Sequence, residues 1–240
     1  MPSYKLIPTE SETVYSDALE ERVKEQDGRQ SDRSPKSGTI PDTFETGPKE
    51  MAWVEFGVER SYDRPTWDGT EPTIEVQRYP MFFLQNGYVA HHTATQAVMG
   101  DIQATIQCIL ASEIKLEPLS LNEAELGDVI DEAIRVQEAF VEPASHEDPD
   151  YLSAGDRHDL RDTSFWEDYQ VDPFEKVRVE LPGQDVDVDV GFDESGTLVL
   201  YGRSMRYDIQ ARALRSVTDE VIDRYVKETD FQGTIGRFGE

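Results

Sequence analysis

The stretch that most constrains the fold is residues 185–201, DVDVDVGFDESGTLVLY, where valine alternates with aspartate before a turn and a second apolar run. Successive side chains of a strand point to opposite faces, so the valines face a core and the aspartates face water. The stretch therefore predicts a hairpin with one buried and one solvated face. The row Asp185, Asp187, Asp189 is not predicted to bind a metal, because alternate residues of a strand lie about 6.5–7 Å apart.

Arginine is concentrated directly after this hairpin. The cluster is Arg203, Arg206, Arg212 and Arg215. Two interpretations stay open. The guanidinium groups either pair with nearby carboxylates such as Asp208 and Asp219, or bind phosphate or carboxylate groups in a bidentate manner beside a helix N-terminus. The cluster is the candidate ligand or nucleic-acid contact of the chain.

The charge of the chain predicts a salt-rich cytoplasm. It has 50 acidic and 23 basic residues and a formal net charge of −27, whereas an ordinary small domain carries a net charge of about 2–8 in magnitude. Such self-repulsion weakens a compact state in dilute salt. In molar salt the Debye length falls to about 3 Å and the repulsion is screened. We therefore expect a halophilic protein, whose acidic surface repels nucleic acid and anionic lipid except at a local cationic patch.

Cysteine usage and hydropathy favour a cytoplasmic location. The single Cys108 excludes an internal disulfide and fits a reducing compartment. No apolar run of about 18 residues occurs, and the first residues show no apolar signal segment. No membrane contact is predicted.

The first half of the chain predicts a tail, a β-meander and two helices. Residues 1–50 are rich in polar residues and predict a disordered acidic tail, with a short helix at about 16–25. Residues 54–58 alternate as a half-buried strand before the turn-rich SYDRPTWDGTEP, and Asn86-Gly87 predicts a hairpin whose first arm, containing Pro80, lies at an edge or a bulge. Helical spacing then predicts helices at 95–112 and 121–140. Their apolar faces are Val98, Ile102, Ile106 and Ile109 in the first, and Leu126, Val129, Ile130, Ala133, Ile134 and Phe140 in the second.

The second half repeats this order. FEKVRVEL, DVDVDVGF and TLVLYG predict strands, and a helix is predicted at 208–228. The tetrapeptide DIQA occurs at 101–104 and again at 208–211. The fold class predicted is α+β: two meander-plus-helix halves, related by a hypothetical duplication, around a mainly antiparallel sheet. The predicted domains are 1–50 (tail), 51–141 (β-meander and two helices), 142–173 (linker or crossover) and 174–230 (β-meander and C-terminal helix).

No catalytic motif is found. His91 and His92 point to opposite faces of a strand and cannot share one ion. The linker carries residue types of a hydrolytic metal site without its spacing: His146, Asp148, Asp150, Asp156, His158 and Asp159. Cys108 is expected to be a small packed residue. Phosphate-binding glycine loops and a nucleophile elbow are missing from the sequence. No enzyme, metal or cofactor is predicted.

These observations predict a non-enzymatic interaction or structural protein of a halophile, a subunit of an oligomer or assembly. The expected subunit surfaces are the helix at 121–140 and the strand edge near Pro80. The alternative is a nucleic-acid-associated regulator that uses the arginine cluster. The least favoured hypothesis is a metal-dependent hydrolase built from the linker.

Overall fold

The computed structural model describes residues 1–9, 16–32, 34–67, 69–111, 118–121, 123–141, 152–155, 158–169, 174–183, 187–193, 195–202 and 206–223. The strands are β1 (Ser3–Pro8), β2 (Ser37–Thr46), β3 (Ala52–Thr66), β4 (Gly69–Phe83), β5 (Tyr88–His92), β6 (Arg135–Val141), β7 (Leu152–Gly155), β8 (Phe174–Leu181), β9 (Val188–Asp193) and β10 (Thr197–Leu200). The helices are α1 (Ser16–Glu25), α2 (Gln96–Leu110), α3 (Glu123–Glu132), α4 (Ser164–Tyr169) and α5 (Tyr207–Val217), the last continued by a π-helical turn at Thr218–Ile222.

The chain is α+β with antiparallel strand pairing, as the sequence predicts. Its contacts divide it into two units. The N-terminal unit is Ile7–Glu117, and the C-terminal unit is Met1–Leu6 with Pro118–Glu240. The predicted boundaries at 141 and 173 differ from this division, because the C-terminal unit begins before α3 and includes the first residues of β1.

In the N-terminal unit, the antiparallel order β2-β3-β4-β5 forms a sheet that packs against α1 and α2. The predicted face of α2 is confirmed: Val98, Ile102, Ile106 and Ile109 are its buried residues. The helix ends at Ala111, which adopts a left-handed conformation with φ of 51°. The core joins these side chains to Val54, Phe56 and Met81 of the sheet and to Leu19 and Val23 of α1.

The predicted disordered tail at 1–50 is wrong for the residues of that stretch which the structure describes. They include β1, α1 and β2. Leu19 and Val23 are fully buried, and the buried Tyr4 donates a hydrogen bond to Gln210 within the C-terminal unit. The error arises because composition averages over a segment. A few apolar residues at strand or helix spacing find partners far along the chain.

The hairpin at Asn86-Gly87 is confirmed as the connection between β4 and β5, with Gly87 at φ of 87°. Pro80 is buried, and β5 pairs with β4 at Met81, Phe82 and Phe83. Pro80 thus lies where pairing with β5 ends. On the far side of Pro80, the described part of β4 pairs with β3 alone, so the predicted edge exists but lies beyond this residue.

The C-terminal unit contains the antiparallel order β1-β10-β9-β8-β6-β7, with α3 packed on β8 and α5 on β9. The three strands predicted around β8, β9 and β10 are confirmed, and Val188 and Val190 face the core as expected. The predicted helix at 208–228 corresponds to α5 and its π-helical turn, and residues 224–228 lie outside the described residues. The helix α4 lies within the stretch 142–173 that is predicted to be a linker or crossover.

The helix predicted at 121–140 is wrong in its second half. It ends at Glu132, and residues 135–141 form β6. A register shift between Val136 and Glu138 places a bulge in this strand. Val136 and Ala139 are consequently both buried at a spacing of three, which imitates a helix. The DIQA match also fails to identify equivalent positions, because Ile102 is fully buried whereas Ile209 is 44% exposed.

Candidate functional site

The predicted arginine cluster is divided by the structure. Arg206 is the N-cap of α5 and donates to Asp208 at 2.8 Å, and Arg215 donates to Asp219 at 3.4 Å. Arg212 is exposed and makes no ion pair with the described residues, whereas Arg203 lies outside them. Ion pairing therefore accounts for two members of the cluster, with the carboxylates that the sequence suggested.

The aspartate row is likewise an ion-pair surface where it is described. Asp189 accepts two hydrogen bonds from Arg178, at 2.9 and 2.7 Å, and Arg178 stacks over the ring of Tyr201 at 3.9 Å. The hydrogen bonds that Arg178 donates to Asp189 raise the pKa of Arg178, and burial raises the pKa of Tyr201. Asp187 is exposed, and Asp185 lies outside the described residues.

The other candidates do not assemble a catalytic centre in the described part of the chain. No group of three His, Cys, Asp or Glu residues that could hold a metal is found there. His91 is fully buried and His92 half-buried, which agrees with their opposite directions. Within the linker, His158 is exposed and Asp159 pairs with Arg161, while His146, Asp148, Asp150 and Asp156 lie outside the described residues.

Cys108 differs from its expected packed position. It is exposed and lines a polar cavity of about 360 Å³ together with Glu25, Asp27 and Asp101. The predicted interaction face of α3 is also not available: Leu126, Val129, Ile130 and Ala133 are buried within their own unit, and the exposed Ile134 follows the helix. A partner surface must therefore be sought elsewhere.

An exposed extension of two paired strands in the N-terminal unit was missed by sequence reasoning. The strands β3 and β4 pair without interruption from Ala52–Phe83 to Thr66–Gly69. β2 pairs with β3 only as far as Val58, and β5 pairs with β4 only at 81–83. Residues 59–78 form what we call the arm, a two-stranded ribbon in which nearly every described residue is exposed. At about 3.3 Å per residue, the eight-residue extension of β3 is roughly 26 Å long.

The arm has two chemically different faces, because directly paired residues of an antiparallel ladder lie on the same face. On one face, Arg60 is opposite Glu75 and Arg64 is opposite Glu71. We call this the charged face; Tyr62 also lies on it. The other, which we call the apolar face, carries Pro65, Pro72, Ile74 and Val76 with Glu59, Ser61, Asp63 and Thr70. The ribbon is therefore amphipathic across its thickness.

The apolar face is exposed from end to end. Ile74 is 69% exposed and Val76 is 44% exposed. Trp67 lies at the tip, beside the pair Thr66–Gly69, and is fully exposed. A two-stranded ribbon gains little stability by itself in water, and exposed apolar strands are prone to unwanted pairing. Exposed apolar side chains along such a ribbon mark a surface for interaction.

A cavity of about 250 Å³ lies at the base of the apolar face. Ile40, Gly57 and Val76 form part of its lining. Val76 and Ile40 pack closely over Gly57, where a Cβ would approach them to 2.9 and 3.0 Å. The cavity is smaller than the 300–1,000 Å³ typical of small-molecule sites, and it is suited to a single large side chain.

Cations surround this cavity. Arg29, Lys36 and Arg78 all line it. Arg78 pairs with Glu55 at 2.8 Å, and Arg29 pairs with Asp42 at 2.9 Å as well as with Asp27. The base of the arm therefore combines apolar side chains with guanidinium and ammonium groups and with the Glu59 carboxylate. Cations of this kind attract the face of an aromatic ring.

No protein-family model matches the chain, and no curated protein is similar to it in sequence. Among the helices that the structure describes, none is long and apolar enough to cross a membrane. The geometry of the site is therefore what the functional argument rests on.

Proposed function

We propose that the chain is a non-enzymatic interaction protein, a subunit of an oligomer or larger assembly, and that the arm is its contact surface. The observation that carries this proposal is the exposed apolar face of the arm, which lies between the exposed Trp67 at the tip and the cavity at the base. The oppositely charged residues of the charged face can pair with one another. The apolar face, in contrast, gains stability when a partner covers its side chains.

The test is photo-crosslinking in cells that make the protein naturally. A photoreactive residue replaces Ile74 on the apolar face, and the matched control replaces Glu75, its neighbour on the charged face. We expect a defined protein adduct from position 74 and little from position 75. Equal or absent adducts at both positions would remove the arm as the contact surface.

We also propose that the assembly works in a salt-rich cytoplasm. The support is the net charge of −27, which is tolerated in a compact chain when salt screens it. The nucleic-acid alternative has weaker support, namely the exposed Arg212. It requires duplex DNA binding that weakens with KCl and is reduced by Arg212→Gln with Arg215→Gln.

Finally, we propose that the two units descend from one duplicated unit. The support is their shared order of a helix, a four-stranded meander and a helix: α1-β2-β3-β4-β5-α2 and α3-β6-β8-β9-β10-α5, with β7 and α4 inserted in the second. In both, the closing helix buries residues at the same spacing: Ile102, Ile106 and Ile109 in α2, and Gln210, Leu214 and Val217 in α5.

A further inference from the structure

We infer that the partner of the arm is the arm of a second copy of this chain, with Trp67 of each copy seated in the cavity at the base of the other. This inference rests on the proposed function and specifies its partner. The arm carries the exposed Trp67, the knob, at its tip and the cavity, the hole, at its base. Two copies related by a two-fold axis close both contacts at once, because each tip then meets the other base.

The chemistry of the knob matches that of the hole. Trp67 offers a large apolar ring with an electron-rich face, and it is fully exposed in the isolated chain. The cavity of about 250 Å³ offers Ile40, Gly57 and Val76 to the ring edge, with Arg29, Lys36 and Arg78 around it. Cations within about 6 Å of an indole face attract it. One side chain is therefore sufficient to fill the cavity.

Charge permits contact between two arms. The arm has five acidic and three basic residues and therefore a net charge of −2. Two arms repel one another only weakly. The remaining repulsion between two chains of −27 is screened by salt, so this contact strengthens with KCl. A contact with a basic protein, in contrast, weakens with KCl.

The area of the arm sets the strength of the contact. A stable interface buries about 1,200–2,000 Å² of accessible surface. Two ribbons, each roughly 26 Å long, bury less surface than this, even when both tips are inserted. We therefore expect a reversible dimer with a dissociation constant of about micromolar or weaker. The tip insertion supplies a large part of the binding energy, as expected for a buried aromatic anchor.

The experiment is sedimentation equilibrium of the full chain in molar KCl over a wide range of concentration, with tryptophan emission recorded in parallel. Wild type is expected to dimerise, with a blue shift of emission as Trp67 leaves water. Trp67→Ser removes the knob, and Val76→Phe fills the hole. Each should weaken the homodimer at least tenfold. Tyr62→Ser, on the charged face, is the matched control and should dimerise as wild type does.

Mixing the two variants gives the decisive outcome. The Trp67→Ser chain keeps its hole and the Val76→Phe chain keeps its knob, so the mixture regains one contact and should associate more tightly than either variant alone. Circular dichroism verifies folding of each variant. A monomer at every concentration and salt, or unchanged dimerisation of Trp67→Ser, overturns the inference. If crosslinking at position 74 then captures a different protein, the proposed function stands and only its partner changes; if it captures nothing, both fail.

Discussion

Gly196 connects β9 to β10 in a conformation that other residues avoid. Its φ is +71°, and a Cβ at this position would overlap the carbonyl oxygen of Leu119 in the same unit. The backbone itself blocks a side chain here, so relaxation must move the chain that precedes α3. The turn between two predicted strands is thereby fixed by a single residue.

We predict that Gly196→Ala lowers the free energy of unfolding by more than the about 1–2 kcal/mol that a left-handed backbone costs alone. The control is Gly127→Ala in α3, where a Cβ meets no neighbour. The higher helix propensity of alanine should raise the free energy of unfolding of this variant by about 0.5–1 kcal/mol. Urea unfolding of the two variants in molar KCl measures both. If Gly196→Ala lowers the free energy of unfolding no more than a surface substitution does, the loop before α3 moves aside at little cost and the prediction is wrong.

Asp159 and Arg161 close the end of α3. The Asp159 carboxylate accepts from the backbone N–H of Arg161 at 3.1 Å and from its guanidinium at 2.6 Å. The same guanidinium donates to the carbonyls of Ile130, Ala133 and Ile134. A cation at a helix C-terminus is favourable, and here the carboxylate fixes its position. The hydrogen bonds from Arg161 lower the pKa of Asp159.

This lowered pKa predicts a pH dependence. A carboxyl group with a folded pKa below its unfolded value stabilises the fold above the unfolded pKa, about 3.9, and loses that contribution as pH falls through the folded pKa. Asp159→Asn should therefore be less stable than wild type near neutral pH, and the difference should shrink as the pH is lowered through that range. Asp162→Asn, at the exposed neighbour, is the control. A constant difference at all pH values would assign the effect to packing instead.

At the scale of elements, prediction succeeded where one face is buried and failed where both faces have the same environment. The face of α2 and the hairpin at Asn86-Gly87 follow from helical spacing and turn chemistry. The core part of β3 is buried on both faces and its arm is exposed on both, so neither shows a simple alternation. The Asp68-Gly69 dipeptide, which follows the sequence of β3 and begins that of β4, is the local sequence signal of the arm's hairpin.

The position of the arm outside the core predicts that it adds little stability. Replacing residues 60–75 by Asn-Gly joins Glu59 to Val76, which are directly paired, through a favoured two-residue turn. We expect the free energy of unfolding to change by less than about 1 kcal/mol, as for surface changes that remove no buried contact. Ile106→Ala in the core of the same unit should cost about 2–5 kcal/mol. A trimmed protein that unfolds like Ile106→Ala would make the arm part of the folding unit.

At the scale of the whole molecule, the net charge can be read directly from the sequence. The site, in contrast, depends on strand pairing that local sequence patterns do not reveal. The net charge of −27 is read from composition. The cavity, in contrast, requires β2, β3 and β4 to bring Ile40, Gly57 and Val76 together. No local pattern links these three residues. The arginine cluster shows the converse: residues adjacent in sequence are divided among separate ion pairs.

The net charge predicts that the folded state requires salt. Raising KCl from about 0.1 M to 1 M shortens the Debye length from about 10 Å to 3 Å, so the free energy of unfolding should rise steeply across that range. A variant that converts four exposed carboxylates to amides, at Glu132, Glu167, Asp168 and Asp187, has less repulsion to screen and should show a shallower rise. Chemical unfolding at a series of KCl concentrations measures both slopes, and sucrose serves as an uncharged control that leaves the repulsion intact. A stability that rises equally with KCl and with sucrose, or equal slopes for the two proteins, would mean that general exclusion of cosolvent from the surface, and not charge screening, holds the chain together.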